Sequence, residues 1–493
     1  MEIVGSIIIS IMQSILFYGK SIGISLILFE IILNSVILFI LHRKNKVKNK
    51  NGLLLLIPIV LLSSTFAIFA NKTFYLANIC IILILNLLMY AILINKKGYF
   101  KNYLHNTLEL VQNTFRGYRE GIYLTQNEVK YYVSGSNKIE KANVKKIAKS
   151  SLIVILILAV VLILLISADS VFASLFSGIT RLFGHINIIG TFSFLFRLAI
   201  IIAVYVLSLS FILKLQKNKE VEQKQTTVTN SKDSFTIKLL LITLNIVYLI
   251  FCYIQLQSLF ARIQVFESYD YASYARSGFF QLMFVSLINF VIILVSNKYN
   301  EKIIKRLSTL LVVFTTIIAI SSMYRMHMYE MEYGLTYLRI FVYFILITEI
   351  LSFIPIIIYI YNKKFDVVKW CFVICIFMYC IANYMNIEEI IVNKNLNRTT
   401  DREIDYAYIY NISSEDSYNV LKERLEKENI SQDERADILS IILKLANNAE
   451  NLSWQESNIS KNKFLMEDID AQELSSELER ARYEALYDEY KDY

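Results

Sequence analysis

At 493 residues, with 56% hydrophobic and only 19% charged side chains, the chain is too apolar for a soluble domain, in which ~25% of residues are charged. Its apolar residues come in long runs without alternation, which excludes a transmembrane barrel of ten-residue strands and points to membrane helices. The net charge of +8 conceals an asymmetry: residues 387–493 carry 25 acidic and 13 basic side chains, whereas the other 386 carry 17 and 37.

In chain order, residues 3–18 place Ile3, Ile7, Ile8, Ile11, Ile15 and Leu16 on one helical face and Ser6, Ser10, Gln13 and Ser14 on the other. This pattern predicts an amphipathic N-terminal helix over 1–20, interfacial or re-entrant. It lacks the basic start and small-residue cleavage site of a signal peptide. Apolar runs follow at about 21–42, 53–70, 74–94, 151–172, 188–213, 236–256, 279–297, 307–326, 337–361 and 367–386. Each is near the ~20 residues that cross ~30 Å of hydrocarbon. The expected fold is therefore all-α: a polytopic transmembrane bundle of about ten spans over 21–386, followed by an acidic, mostly helical tail over 387–493. Membrane helices tolerate the two prolines, Pro58 and Pro355, because neighbouring groups satisfy the freed carbonyls. All five cysteines fall in the apolar runs with no histidine nearby, which reads as packing, so no metal and no cofactor is expected.

Lysines and arginines crowd alternate loops. Arg43, Lys44, Lys46, Lys48 and Lys50 follow the first span; residues 95–150 hold eleven basic and four acidic groups; Lys214, Lys217, Lys298, Lys302, Lys305, Arg306, Lys363 and Lys364 mark later loops on the same side. The positive-inside rule makes these loops cytoplasmic. The tail is then extracytoplasmic, in a bacterial cytoplasmic membrane. Segment 95–150, with Tyr103, Leu104, Leu108, Leu110, Val111 and Phe115 among its lysines, reads as an amphipathic stretch on anionic lipid head groups rather than a nucleic-acid surface. In the tail, Ile438, Leu439, Ile442 and Leu445 share one face behind a Ser431 cap; this short face predicts helices of modest stability. The stretch Glu473–Tyr493 is charge-rich, with scattered Leu and Tyr.

Polar side chains gather where four segments leave the bilayer on the outer face, and they compose a candidate binding cluster of Asp169, Tyr274, Arg276, Arg325, Tyr329, Glu332, Tyr333, Thr336 and Arg339. Arg339 stands near the hydrocarbon edge, where a lone charge costs ~2.5 kcal/mol or more; Glu332 is its expected partner, with Glu330 or Asp169 as alternatives. The cluster reads either as a hydrogen-bonded brace or as a pocket for an anionic or lipid head group. Within the spans, Glu30, Arg197 and Glu349 are charged residues open to the same two readings.

The stretches Ser-Ala-Asp-x-Val-Phe at 167–172, Tyr-Ala-Arg-x-Gly-Phe-Phe-Gln-Leu at 274–282, Tyr-Gly-Leu-Thr-x-Leu-Arg at 333–339, Asn-x-Glu at 386–388 and Glu403-Ile404-Asp405-Tyr406 resemble the signatures of an uncharacterised bacterial membrane family, domain of unknown function number 4173, close to the related number 4153. Ile387 stands where that family usually has proline, and Val392-Asn393-Lys394-Asn395 replaces its Ala-Arg-Tyr-Asn run. The resemblance implies a multi-pass membrane protein and supplies no activity.

No P-loop, nucleophile elbow, catalytic carboxylate pair or metal-ligand spacing is present in the sequence. The expected function is a non-enzymatic envelope sensor, scaffold or partner-binding protein, with a protein partner engaged through the tail. The alternatives are a transporter or lipid-handling protein, which would use a pathway through Glu30, Arg197 and Glu349, and a membrane-embedded transferase using the outer-face acids.

Overall fold

A computed structural model describes residues 1–96, 98–133, 188–217, 234–260, 271–398, 403–427, 430–448, 453–467 and 469–491. The described regular structure is helical: α1 (Glu2–Phe17), α2 (Ile24–Arg43), α3 (Leu56–Ile68), α4 (Tyr75–Ile94), α5 (Phe100–Arg116), α6 (Tyr118–Val133), α7 (Ile188–Lys217), α8 (Ser234–Phe260) and α9 (Tyr271–Ser296), then α10 (Lys302–Tyr333), α11 (Tyr337–Tyr361), α12 (Val367–Tyr384), α13 (Ile387–Leu396), α14 (Tyr406–Ile412), α15 (Tyr418–Leu425), α16 (Gln432–Asn447), α17 (Ile459–Met466) and α18 (Ala471–Lys491). A 3₁₀ turn at Lys50–Leu55 leads into α3. Among the described residues, eight helices are long and apolar enough to cross a membrane: α2, α3 with its 3₁₀ turn, α4, α7, α8, α10, α11 and α12. The chain is a polytopic membrane protein. Helix α9, with its apolar stretch Leu282–Ser296, covers the run expected at 279–297; the run at 151–172 lies outside the described residues.

Two compact units divide the chain. The first comprises Met1–Lys20, Ile31–Val47 and Leu108–Lys219. Here α1 packs on α7 with its serine face inward: Ser6, Ser10 and Ser14 are buried together with Ile9 and Leu16, while Ile7, Ile8, Ile11 and Ile15 face outward. The reason is that between membrane helices small polar residues allow close approach, and apolar residues lose nothing by facing lipid tails. Helix α6 also packs on α7, with Thr125 Oγ1 and Tyr205 OH 2.8 Å apart and Lys214 paired with Glu120 at 2.7 Å.

The second unit comprises Ser21–Glu30, Lys48–Thr107 and Glu220–Tyr493. Its longest helix, α10, packs against α8, α9 and α11; α12 then joins α11 to α3 and α4. Leu241, Ile293, Leu311, Phe353 and Ile356 from α8 to α11 form one apolar cluster. Pro355 sits inside α11, where lipid-embedded helices accept it. The segments 48–49, 98–99, 297–301 and 362–366 share one end, tied by Lys48 N to Leu93 O (2.7 Å), Phe100 N to Asp366 Oδ2 (2.7 Å) and Lys363 Nζ to Asn297 O (2.5 Å).

At the opposite end α13 to α18 fold into a helical domain. Asn386, Asp405, Ser431 and Asn458 each cap a helix by accepting a backbone N–H two or three residues into it, so the sequence sets where these helices start. Their core is larger than the single face of α16 suggests. Ile438, Ile442 and Leu445 meet Val392 and Leu396 of α13, Ile409 of α14, Tyr418 and Leu421 of α15 and Phe464 of α17. Leu439 on a neighbouring face meets Leu478 and Ala481 of α18. The tail thus has more than the one apolar face read in the sequence: each helix has a short apolar face, and the faces converge.

Candidate functional site

The helical domain meets the bundle through polar groups, and these form the densest chemistry in the second unit. The chain leaves α12 through Asn386, whose φ of 42° is left-handed, a conformation that asparagine tolerates better than most residues. The turn sends Glu388 inward, where it is 1% exposed. Its carboxylate accepts from the Asn71 side-chain amide, from Ser414 N at 2.5 Å and from Ser414 Oγ at 2.8 Å. Beside it, Asp416 accepts the backbone N–H groups of Ala70 at 3.0 Å and Asn71 at 2.8 Å. Burial pushes the Glu388 carboxyl up to about 6; the donors Asn71 and Ser414 pull against this, and neighbouring Asp416 adds to it. Two carboxylates from the domain thus grip the turn between α3 and α4.

Between these groups lies a cleft lined by Thr65, Phe74, Asn78, Tyr337, Asn383 and Glu388. At its base Asn78 donates to Asn383 Oδ1 at 2.7 Å and accepts from Tyr379 OH at 2.6 Å. The free space is about 30 Å³, room for two or three waters at ~10–15 Å³ each and too little for a metabolite, whose pockets run to ~300 Å³ or more.

A second grip holds the corner between α10 and α11. Gly334 ends α10 with φ 79°, a conformation that costs glycine nothing. A Cβ there would stand 2.5 Å from Asn395 Oδ1. Asn395 of α13 clamps the next residue on both sides, accepting from Leu335 N at 2.6 Å and donating to Leu335 O at 2.9 Å. Lys394 pairs with Glu330, whose other oxygen accepts from Tyr343 OH at 2.8 Å. A third contact joins the domain to the start of α2: Ser21 N donates to Glu456 Oε1 at 2.7 Å, and Ile24 N to Ser457 O at 3.1 Å. The hydroxyl of Ser453 and the Ser21 N–H hold the Glu456 carboxyl down at about 2. Gly23 permits this approach, since a Cβ would lie 2.5 Å from the Glu456 carbonyl carbon.

Of the residues singled out in the sequence, the structure brings Tyr329, Tyr333 and Arg339 together. The two tyrosine rings are 4.7 Å apart, and the Arg339 guanidinium lies 4.4 Å from the Tyr329 ring centre. Arg339, 9% exposed, donates to Gly334 O. The expected pairing of Arg339 with Glu332 is not what holds it: a backbone carbonyl and an aromatic face do, because the turn at Gly334 brings its own carbonyl back over the start of α11. The buried acid of this corner is Glu330. Arg325 and Glu332 occupy the last turns of α10, and Thr336 precedes α11 without a side-chain cap. Tyr274 and Arg276 fall within α9, and Asp169 lies outside the described residues.

The charged residues of the spans are housed separately. Glu30 accepts from Asn86 Nδ2 at 2.8 Å, and Glu349 contacts Ser286 Oγ at 2.7 Å. In the first unit Arg197 donates to Ser14 Oγ at 2.7 Å and lies over the Tyr18 ring. Sequence reasoning misses Asn71, Lys394, Asn395, Ser414 and Asp416, polar residues of turns and short helices whose partners lie far away in the chain; the Ser-x-Asp spacing at 414–416 is the one local hint. Among the described residues no three His, Cys, Asp or Glu side chains gather to hold a metal ion.

No curated protein and no solved structure matches the chain. One family model does, the domain of unknown function DUF4153, over residues 56–424. That span takes in the bundle from α3 onward, the exit at Asn386 and both grips on the helical domain, and it selects the second of the two related families that the sequence motifs resemble. On this match the chain belongs to the DUF4153 family.

Proposed function

We propose that this is a multi-pass protein of the bacterial cytoplasmic membrane with its lysine-rich turns in the cytoplasm and its helical domain outside, acting as a non-enzymatic sensor or scaffold that engages a protein partner through that domain. The observation that carries this reading is the docking: Asp416 and Glu388 on the turn after α3, Lys394 on Glu330 and Asn395 on Leu335. A domain gripped at helix ends by buried hydrogen bonds communicates what it binds to the bundle, whereas a tethered tail would not. The cleft beside the grip has room for water only, which favours recognition over turnover, and the Arg339 group serves as a brace for the corner.

Two measurements test this. In intact cells, a cysteine replacing Met466, 83% exposed, should react with a membrane-impermeant maleimide, and one replacing Lys48 should not; the reverse labelling would overturn the orientation. Asp416→Ala should abolish the phenotype that gene deletion reveals while membrane abundance stays normal. Full function in a variant whose domain has been released, as judged by protease sensitivity, would remove the docking from the mechanism.

A further inference from the structure

Proton bookkeeping inside the bundle points to a ligand. Ser286 on α9 is fully buried, and its hydroxyl oxygen lies 2.8 Å from Met283 O and 2.7 Å from Glu349 Oε2. A serine hydroxyl has one hydrogen, a backbone carbonyl only accepts, and an ionised carboxylate only accepts. One hydrogen serves both only as a weak three-centre bond, whereas 2.8 and 2.7 Å are each the length of a full O–H···O bond. With Glu349 ionised, one of the two short contacts would set two acceptors against each other. The second hydrogen has a single place to sit, on Glu349 Oε2, from where it donates to Ser286 Oγ while the serine donates to Met283 O. The other carboxyl oxygen, Oε1, is buried with no hydrogen-bond partner. As the carbonyl of a neutral acid it forfeits one modest interaction; as half of a naked carboxylate it would forfeit far more.

We propose that Glu349 is a proton-binding site inside the membrane bundle, held as a neutral carboxylic acid by Ser286. Among the described residues its surroundings supply no countercharge. Glu349 is 4% exposed, and the layer beside it consists of Met283 from α9, Ala319, Met323 and Met326 from α10, and Val342 and Leu346 from α11. The titratable groups of that layer are Tyr329 of α10 and Tyr343 of α11, the latter donating to Glu330. One turn further along α9, Asn289 accepts from Tyr248 OH at 2.8 Å and donates to Thr315 Oγ1 at 3.1 Å; beyond it Ser296 and Ser308 are 3.1 Å apart, and Asn297 meets Lys363. Ser286, Asn289 and Ser296 share one face of α9 and Asn297 follows its last turn, so the polar groups step from the acid toward the lysine-rich turns, which is the direction in which its proton exchanges.

The inference stands apart from the role of the docked domain. It is tested by infrared difference spectroscopy of the full chain in phosphatidylethanolamine–phosphatidylglycerol vesicles at neutral pH, above the range in which ordinary glutamates titrate. Wild type minus Glu349→Gln should show the carbonyl stretch of a protonated carboxylic acid, shifted by deuterium oxide. Loss of carboxylate stretches instead would overturn the proposal. Ser286→Ala provides an arm that keeps the acid: its carbonyl band should persist and move to the frequency of a free acid, and an unmoved spectrum would likewise overturn the assignment.

Discussion

The bundle and the helical domain at its end place their polar side chains on opposite sides. In the bundle, Ser286, Asn289, Ser296, Ser308 and Thr315 are fully buried, while Ile84, Val291 and Ile354 are at least half exposed. In the domain, Leu421, Ile438 and Ile409 are fully buried, and its buried carboxylates, Glu388 and Asp416, face the bundle. The same helical geometry serves both regions; the solvent differs. Lipid tails offer apolar surface nothing to gain by burial, so bundle helices meet through small and hydrogen-bonding residues, whereas water drives the domain's apolar faces together at ~25 cal/mol per Å². Where the two solvents meet, Leu335, Ile340 and Ala382 of the bundle pack against Ile387 and Ile391 of α13, and carboxylates, amides and helix-end N–H groups bond beside them.

The contrast fixes the size of substitution effects. Leu421→Ala removes a fully buried side chain from the domain core and should destabilise the domain by ~2–5 kcal/mol, seen as faster proteolysis of residues 403–491 in vesicles; an unchanged rate would mean that the core is not cooperative. An aspartate at exposed Ile84, mid-way along α4, should cost ~3 kcal/mol because it faces hydrocarbon, whereas an aspartate at exposed Met466 should cost under ~0.5 kcal/mol. Membrane abundance of the two variants measures this, and equal abundance would place both sites in the same solvent. Gly334→Ala combines an unfavourable φ of 79° with a collision at Asn395 and should lower stability by about 3 kcal/mol, read as the melting temperature in detergent.

A further effect is a pH dependence. The Glu388 carboxyl, raised by burial from 4.5 to about 6, binds its proton more tightly folded than unfolded. Its contribution to stability is therefore complete below pH 4.5 and is lost as pH rises through about 6, a change of ~2 kcal/mol at most. Melting curves of wild type and Glu388→Gln should diverge across this window, with the glutamine variant flatter. Parallel curves would show that the carboxylate titrates normally.

The packing of α1 shows why some of this was hidden. The spacing of Ser6, Ser10 and Ser14 specifies a helix with two faces, but not which face turns inward, because that depends on whether lipid or water lies outside. Likewise the charge of Arg339 near a hydrocarbon edge requires a partner, and only the turn at Gly334 decides that the partner is a backbone carbonyl rather than Glu332.

By itself the sequence determined the membrane class, the positions of the long helices among the described residues and the start of α16 at Ser431, since these follow from unbroken apolar length and from a local capping residue. It also placed Glu349 within a span. Tertiary structure alone decided that the tail's short apolar faces share one core, that Asp416 and Glu388 grip a turn more than 300 residues earlier in the chain, and that Ser286 stands where its single hydrogen falls one short. The physical reason is common to all three: helix formation depends on neighbours three and four residues away, while burial and hydrogen-bond satisfaction depend on whatever the fold brings alongside.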